Sequence, residues 1–102
     1  MFFDKKKYVI NISAGRAVFN TEKMKGMVEH LIVSPYRDGT IWDLSIKDMD
    51  GDELFNVKNY TGRMDDRQRI PIGRSIAERL TLNFSNVSFN GLIDVIFIIQ
   101  EV

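Results

Sequence analysis

Asn90-Gly91 leads into Leu92-Ile93-Asp94-Val95-Ile96-Phe97-Ile98-Ile99-Gln100, and how that run is read decides the fold. Successive side chains of a strand point to opposite faces, so a series that is apolar on both parities cannot belong to a strand with one wet side. The run is also too short to hide in a bilayer: Leu92 to Ile99 contains Asp94 and falls well below the roughly 20 apolar residues that a spanning helix needs. It therefore predicts a central strand, covered on both sides by its own domain or on one side by a neighbouring subunit. Asn-Gly readily supplies the positive φ angles of a two-residue hairpin, so the preceding strand is expected to fold directly back on this one.

Working outward, alternation of period two recurs along the chain, the mark of strands with one buried face. Leu80, Leu82 and Phe84 alternate with Thr81, Asn83 and Ser85, and Trp42, Leu44 and Ile46 with Asp43, Ser45 and Lys47. Asp50-Gly51 suits a tight turn that returns Leu54-Phe55-Asn56-Val57 onto the second of these. Ser34-Pro35-Tyr36-Arg37-Asp38-Gly39 ends a strand that carries Val28, His30 and Ile32 on one parity and Met27, Leu31 and Val33 on the other. Tyr8, Ile10 and Ile12, then Ala14-Gly15-Arg16 and Ala17-Val18-Phe19, read as a first hairpin. Asn59 to Arg69 is polar and reads as a long loop, with Ile70-Pro71-Ile72 a short strand after it. Arg74 to Arg79 is the stretch with most helical character, and Thr21–Val28 is a weaker second. About seven or eight short strands with turn signals between them predict an all-β protein, a single antiparallel β-sandwich of jelly-roll or immunoglobulin-like type. It is expected to span residues 1–102, with 1–6 as an N-terminal arm.

Composition agrees with one core. In 102 residues, 44% apolar and 27% charged, a second core would be left too few residues to offset its ordering entropy. The absence of cysteine removes disulfides, zinc–thiolate sites, iron–sulfur clusters and cysteine nucleophiles together. Met1-Phe2-Phe3-Asp4-Lys5-Lys6-Lys7 places its charges after the aromatic pair, the reverse of a secretory leader, and predicts no export signal. Fourteen basic and fourteen acidic residues cancel, which argues against a nucleic-acid partner. The balance is uneven: residues 1–25 carry six basic against two acidic groups, and residues 26–60 carry three against seven. If these segments form separate surfaces, the basic region of one copy could orient against the acidic middle of another.

The search for chemistry is mostly negative. His30 is the one histidine, and no G-x-S-x-G elbow accompanies it, so its position among Val28 and Ile32 points to a structural role. Asp48-Met49-Asp50-Gly51-Asp52-Glu53 has oxygen ligands at alternating positions. A helix–loop–helix calcium site, however, needs glycine at position six and glutamate at twelve, where this chain, counted from Asp48, has Glu53 and Asn59. No glycine pattern cradles a phosphate, and no cofactor is predicted. Arg63, Arg67, Arg69, Arg74 and Arg79 form an arginine-rich stretch, interrupted by Asp65, Asp66 and Glu78 in the manner of local ion pairs or a protein interface. Trp42 with Tyr8, Tyr36 and Tyr60 could make a sugar-stacking platform, against which stands the shared parity of Trp42 with Leu44 and Ile46.

Taken together, the run Ile41-Trp42-Asp43-Leu44-Ser45-Ile46 with its Asp50-Gly51 turn, and the stretch Leu80 to Glu101, resemble the small structural proteins of tailed bacteriophages, such as capsid decoration (cement) proteins and head–tail modules. The resemblance implies a non-enzymatic virion protein that is assembled in the host cytoplasm, forms a homo-oligomer such as a trimer, and binds other virion proteins on a symmetric lattice. It supplies no functional residues. The expected interface residues come instead from their types and positions: Phe2 and Phe3 in an arm, and Tyr36, Arg37 and Tyr60 in loops, since aromatic and arginine side chains commonly anchor interfaces. A carbohydrate-binding module using surface aromatics is the alternative.

Overall fold

The computed structural model describes residues 3–37, 39–62 and 68–100. They form eight strands: β1 (Phe3–Ile12), β2 (Ala17–Asn20), β3 (Met24–Pro35), β4 (Thr40–Lys47), β5 (Glu53–Gly62), β6 (Gln68–Glu78), β7 (Thr81–Ser85) and β8 (Gly91–Gln100). No helix occurs among the described residues, so none is long and apolar enough to cross a membrane. The strands make two four-stranded sheets, in the orders β1-β8-β3-β6 and β2-β7-β4-β5, with every pairing antiparallel. The ladders β1–β8, β2–β7, β3–β6 and β4–β5 nest inside one another, as if one long hairpin had been rolled up. That is the jelly roll, one of the two sandwich types the alternation pointed to.

β8 explains the two-faced run. It lies between β1 and β3, with Ile93, Val95, Phe97 and Ile99 turned into the core between the sheets. On its outer face Ile96 and Ile98 form a second, small cluster with Ile32 of β3. Opposite them on β1 stand Lys7 and Lys5, whose aliphatic stems can flank the isoleucines while their charges reach water. The outer isoleucines are only 6% exposed in the single chain, so their greasiness calls for no neighbouring subunit.

Several expectations need correction. Arg74 to Arg79 is strand rather than helix, and its alternation is spoiled because Arg74 and Glu78 sit beside Ile76 on the inward parity of an edge strand, facing Val28, Met24 and Gly26. Thr21–Val28 is not helical either: β3 begins at Met24. The loop assigned to 59–69 is much shorter, since β5 runs to Gly62 and β6 starts at Gln68. A bulge hides this, because Phe55 and Val57 face Ile46 and Leu44, then Asn59 turns left-handed (φ 54°) and Tyr60 faces Trp42. Asn90-Gly91 closes no hairpin; β7 and β8 belong to different sheets, and the dipeptide stands where the crossing over 86–90 enters β8. The segment 1–6 is paired strand from Phe3 onward, where Phe3 stands opposite Gln100.

Candidate interaction surface

The registers place the β1–β2 turn, the β3–β4 loop and the β7–β8 loop at one end of the sandwich: Ile12 faces Gly91, Pro35 faces Ile93, and Ala17 faces Phe84. Hydrogen bonds knit this end together. The Gly15 N–H donates to Asn90 Oδ1 (3.0 Å), Val87 N–H to the Gly15 carbonyl (2.9 Å) and Tyr36 N–H to the Leu92 carbonyl (3.1 Å). Ser88 N–H donates to the Ile41 carbonyl (2.9 Å), and Ser88 Oγ accepts from Ile41 N–H (2.9 Å). The first turn needs left-handed backbone at both Ala14 and Gly15 (φ 55° and 72°), the geometry of a type I′ hairpin.

On this framework the β3–β4 and β7–β8 loops enclose a cleft of about 90 Å³ lined by Tyr36, Arg37, Phe89 and Leu92, among others. The Arg37 guanidinium lies 3.8 Å above the Phe89 ring centre, a cation–π contact that fixes both side chains. Of the seven large apolar side chains left exposed among the described residues, four gather at this end: Tyr36, Ile41, Phe89 and Leu92. Two of the expected interface residues, Tyr36 and Arg37, are therefore brought together here.

The others are not. Tyr60 belongs to β5, where its ring centre lies 4.9 Å from that of Trp42, and it packs on the core instead of projecting from a loop. Phe2 lies outside the described residues, as do the side chain of Phe3 and, from the arginine-rich stretch, Arg63 and Arg67. Trp42 is 0% exposed, held edge-on to Phe84 at 5.9 Å, and Tyr8 rests on Phe19 (5.1 Å) and Phe97 (5.9 Å). A sugar platform built on Trp42 is thereby overturned. His30 faces Ile98 and Pro71 on the outer sheet face, and no hydrogen bond joins it to a carboxylate or hydroxyl among the described residues. Asp48, Asp50 and Asp52 do converge, but Asp48 Oδ1 is engaged by the N–H groups of Asp50 and Asp52 (both 2.9 Å), which makes the cluster a self-closing turn at the opposite end.

One residue of this surface has no signal of its own in the sequence. Asp94 projects from β8 onto the outer face and is only 7% exposed, with Ser34 of β3 and Val9 of β1 on either side. Its Oδ2 lies 3.5 Å from Lys7 Nζ, and its Oδ1 is buried with no partner. The Tyr36 hydroxyl approaches the same carboxylate, and that interaction raises the phenol's pKa above its ordinary value of 10.0.

No family model and no curated protein matches the chain. Among solved structures it is similar to a chain in the structure of infectious bursal disease virus, Gx strain, at 13% identity and a TM-score of 0.31. The match covers 96% of this chain and spans 29% of that one. So low a score carries no argument for function, which has to come from the residues themselves.

Asp94 is hard to single out in the sequence because it reads as one acid inside a greasy run, where parity assigns it a face but not a depth. Phe89 and Leu92 are equally silent, since their exposure arises from the crossing between sheets. The signal that could point to them is Asn90-Gly91, once taken as a crossing rather than a hairpin.

Proposed function

We propose that this protein is a non-catalytic structural module that seats its loop end on a larger assembly, as a virion component of the tailed-phage type whose copies associate with one another and with other virion proteins. The carrying observation is the gathering of Tyr36, Arg37, Phe89 and Leu92 around one cleft while most of the apolar complement is packed away. The Phe89 ring, held by the stacked Arg37 guanidinium, loses little freedom on docking, which favours a stable contact. Conservation of fold across unrelated functions means the jelly roll itself supplies no such reading; the exposed anchors do.

Size-exclusion chromatography with light scattering, paired with co-sedimentation on virus particles from the same source, tests the proposal. The expected result is a defined oligomer or particle-bound protein, and loss of that association in Tyr36→Ala/Phe89→Ala with an unchanged melting temperature. A strict monomer that binds no particle would overturn it.

A further inference from the structure

The outer face of β8 holds a feature that the fold does not explain. Asp94 is buried between Val9 and Ser34, yet only one of its two oxygens faces a cation, and that ion pair is long and reaches a lysine whose side chain is 53% exposed. A desolvated carboxylate oxygen without a hydrogen bond is unfavourable in the lone molecule, and although the Tyr36 hydroxyl approaches this carboxylate, Oδ1 itself is left open to a further donor. The rim is formed by Val9, Tyr36 and Leu92, exposed by 49%, 46% and 41%. A divalent cation does not fit, because it needs six or more oxygens and would meet the Lys7 ammonium. A guanidinium fits: its stem can lie on Leu92 and Val9, its plane on the Tyr36 ring, and its fork can donate to Oδ1 while Lys7 keeps Oδ2.

Leu92 and Asp94 stand two residues apart on one face of β8, roughly 6.8 Å, which is also the spacing of side chains i and i+2 in any extended segment. Leu92 is at the same time a wall of the loop-end cleft. We infer that the surface running from the Arg37–Phe89 cleft across Leu92 to Asp94 receives an extended segment of a partner protein, with an apolar side chain in the cleft and an arginine two residues further on, paired with Asp94 Oδ1. This inference rests on reading the protein as an interaction module and names the chemistry that the module selects.

The test is a nitrogen-15 NMR titration of the intact chain with two blocked tripeptides, acetyl-Leu-Ser-Arg-amide and acetyl-Leu-Ser-Gln-amide. The arginine peptide is expected to shift the amides of Leu92, Asp94 and Tyr36 and to bind about tenfold more tightly than the glutamine peptide, the factor that a charge-assisted hydrogen bond provides. Asp94→Asn, similar in shape, should bring the arginine peptide down to the level of the glutamine one. Equal binding of the two peptides by the native chain overturns the inference without need of any variant, and shows Asp94 to be satisfied by water or to act only as a charge that keeps this face from aggregating. Full arginine preference in Asp94→Asn overturns it as well. Assembly on particles without arginine preference removes this inference alone, whereas arginine preference in a monomer that binds no particle removes the virion reading alone.

Discussion

Replacing Asp94 by leucine is expected to make the protein more stable, which is the reverse of what removing a buried ion-paired residue usually does. The unpartnered Oδ1 costs about 1–3 kcal/mol in the folded chain. Against this, the contact from Lys7 Nζ at 3.5 Å involves a half-exposed ammonium and returns about 0–1 kcal/mol. A leucine at this site would lie between Leu92 and Ile96 on the outer face; covered only in part, it adds about 1 kcal/mol of burial. The net gain is about 1–4 kcal/mol, in line with the general finding that apolar replacement of a poorly satisfied buried ion pair is neutral or stabilising. Urea unfolding followed by Trp42 fluorescence is a suitable assay, because Trp42 is 0% exposed and reports directly on the core. The midpoint should rise with an unchanged slope, and the melting temperature by about 4–8 °C for each kcal/mol. A variant less stable than the native chain by more than about 1 kcal/mol would refute the reasoning, since Asp94 would then be holding the fold together rather than waiting for a partner.

Gly26→Ala should be among the most damaging single changes. At φ 136° a Cβ would lie 2.7 Å from both the Gln100 carbonyl oxygen and Ile99 Cγ2, so strain and overpacking together cost about 2–5 kcal/mol, visible as a large drop in melting temperature. Asp43 is held below its ordinary pKa of 3.8, first by the Asn59 N–H (2.8 Å to Oδ1), then by Asn86 Nδ2 (2.8 Å to Oδ2) and by the nearby Lys58 charge, with burial opposing. A depressed folded-state pKa contributes stability that is present above 3.8 and fades as pH falls through the lower folded value, so the native chain should lose stability in that window while Asp43→Asn shows a flatter acid profile in thermal melts.

Most of the fold was legible because its core strands obey simple patterns. Trp42, Leu44 and Ile46 alternate cleanly and occupy the core as a strand of period two must, and β8 is central as its double greasiness demands. The misreadings in β3 and β5 share a cause, which is the switching of parity by single residues. In β3 the inward set changes from Met24, Gly26 and Val28 to Leu31 and Val33 across a bulge before His30; in β5 it changes at Asn59. Nothing local in the sequence announces these shifts. Asn59 needs the Asp43 carboxylate, sixteen positions away, to hold its left-handed backbone. The candidate surface was half legible: residue type singled out Tyr36 and Arg37, but the meeting of Arg37 with Phe89 depends on two loops brought together by the rolled-up ribbon.

How such a module can assemble depends on which of its surfaces are closed. The two sheets leave four edge strands, β1, β6, β2 and β5, and unpaired edges invite uncontrolled association unless they are blunted. Each one is. β1 carries Lys5, Lys6 and Lys7 in succession; β6 contains Pro71 and a left-handed Gly73 (φ 65°); β2 has only four residues; β5 is broken by the Asn59 bulge. Two of these lysines are moreover tied within the chain, Lys6 to Asp4 and Glu22 (3.7 Å each) and Lys7 to Asp94. Lateral addition of strands is thus disfavoured on every side. On the proposed reading the loop end, with the Arg37–Phe89 stack and the Asp94 oxygen beside it, makes the specific contact, and seating through it would display the acidic turn at Asp48, Asp50, Asp52 and Glu53 on the far side. Copies arrayed in that way would present like charges to one another at their outer ends, which orients them toward the shared support instead of toward stacking end on end.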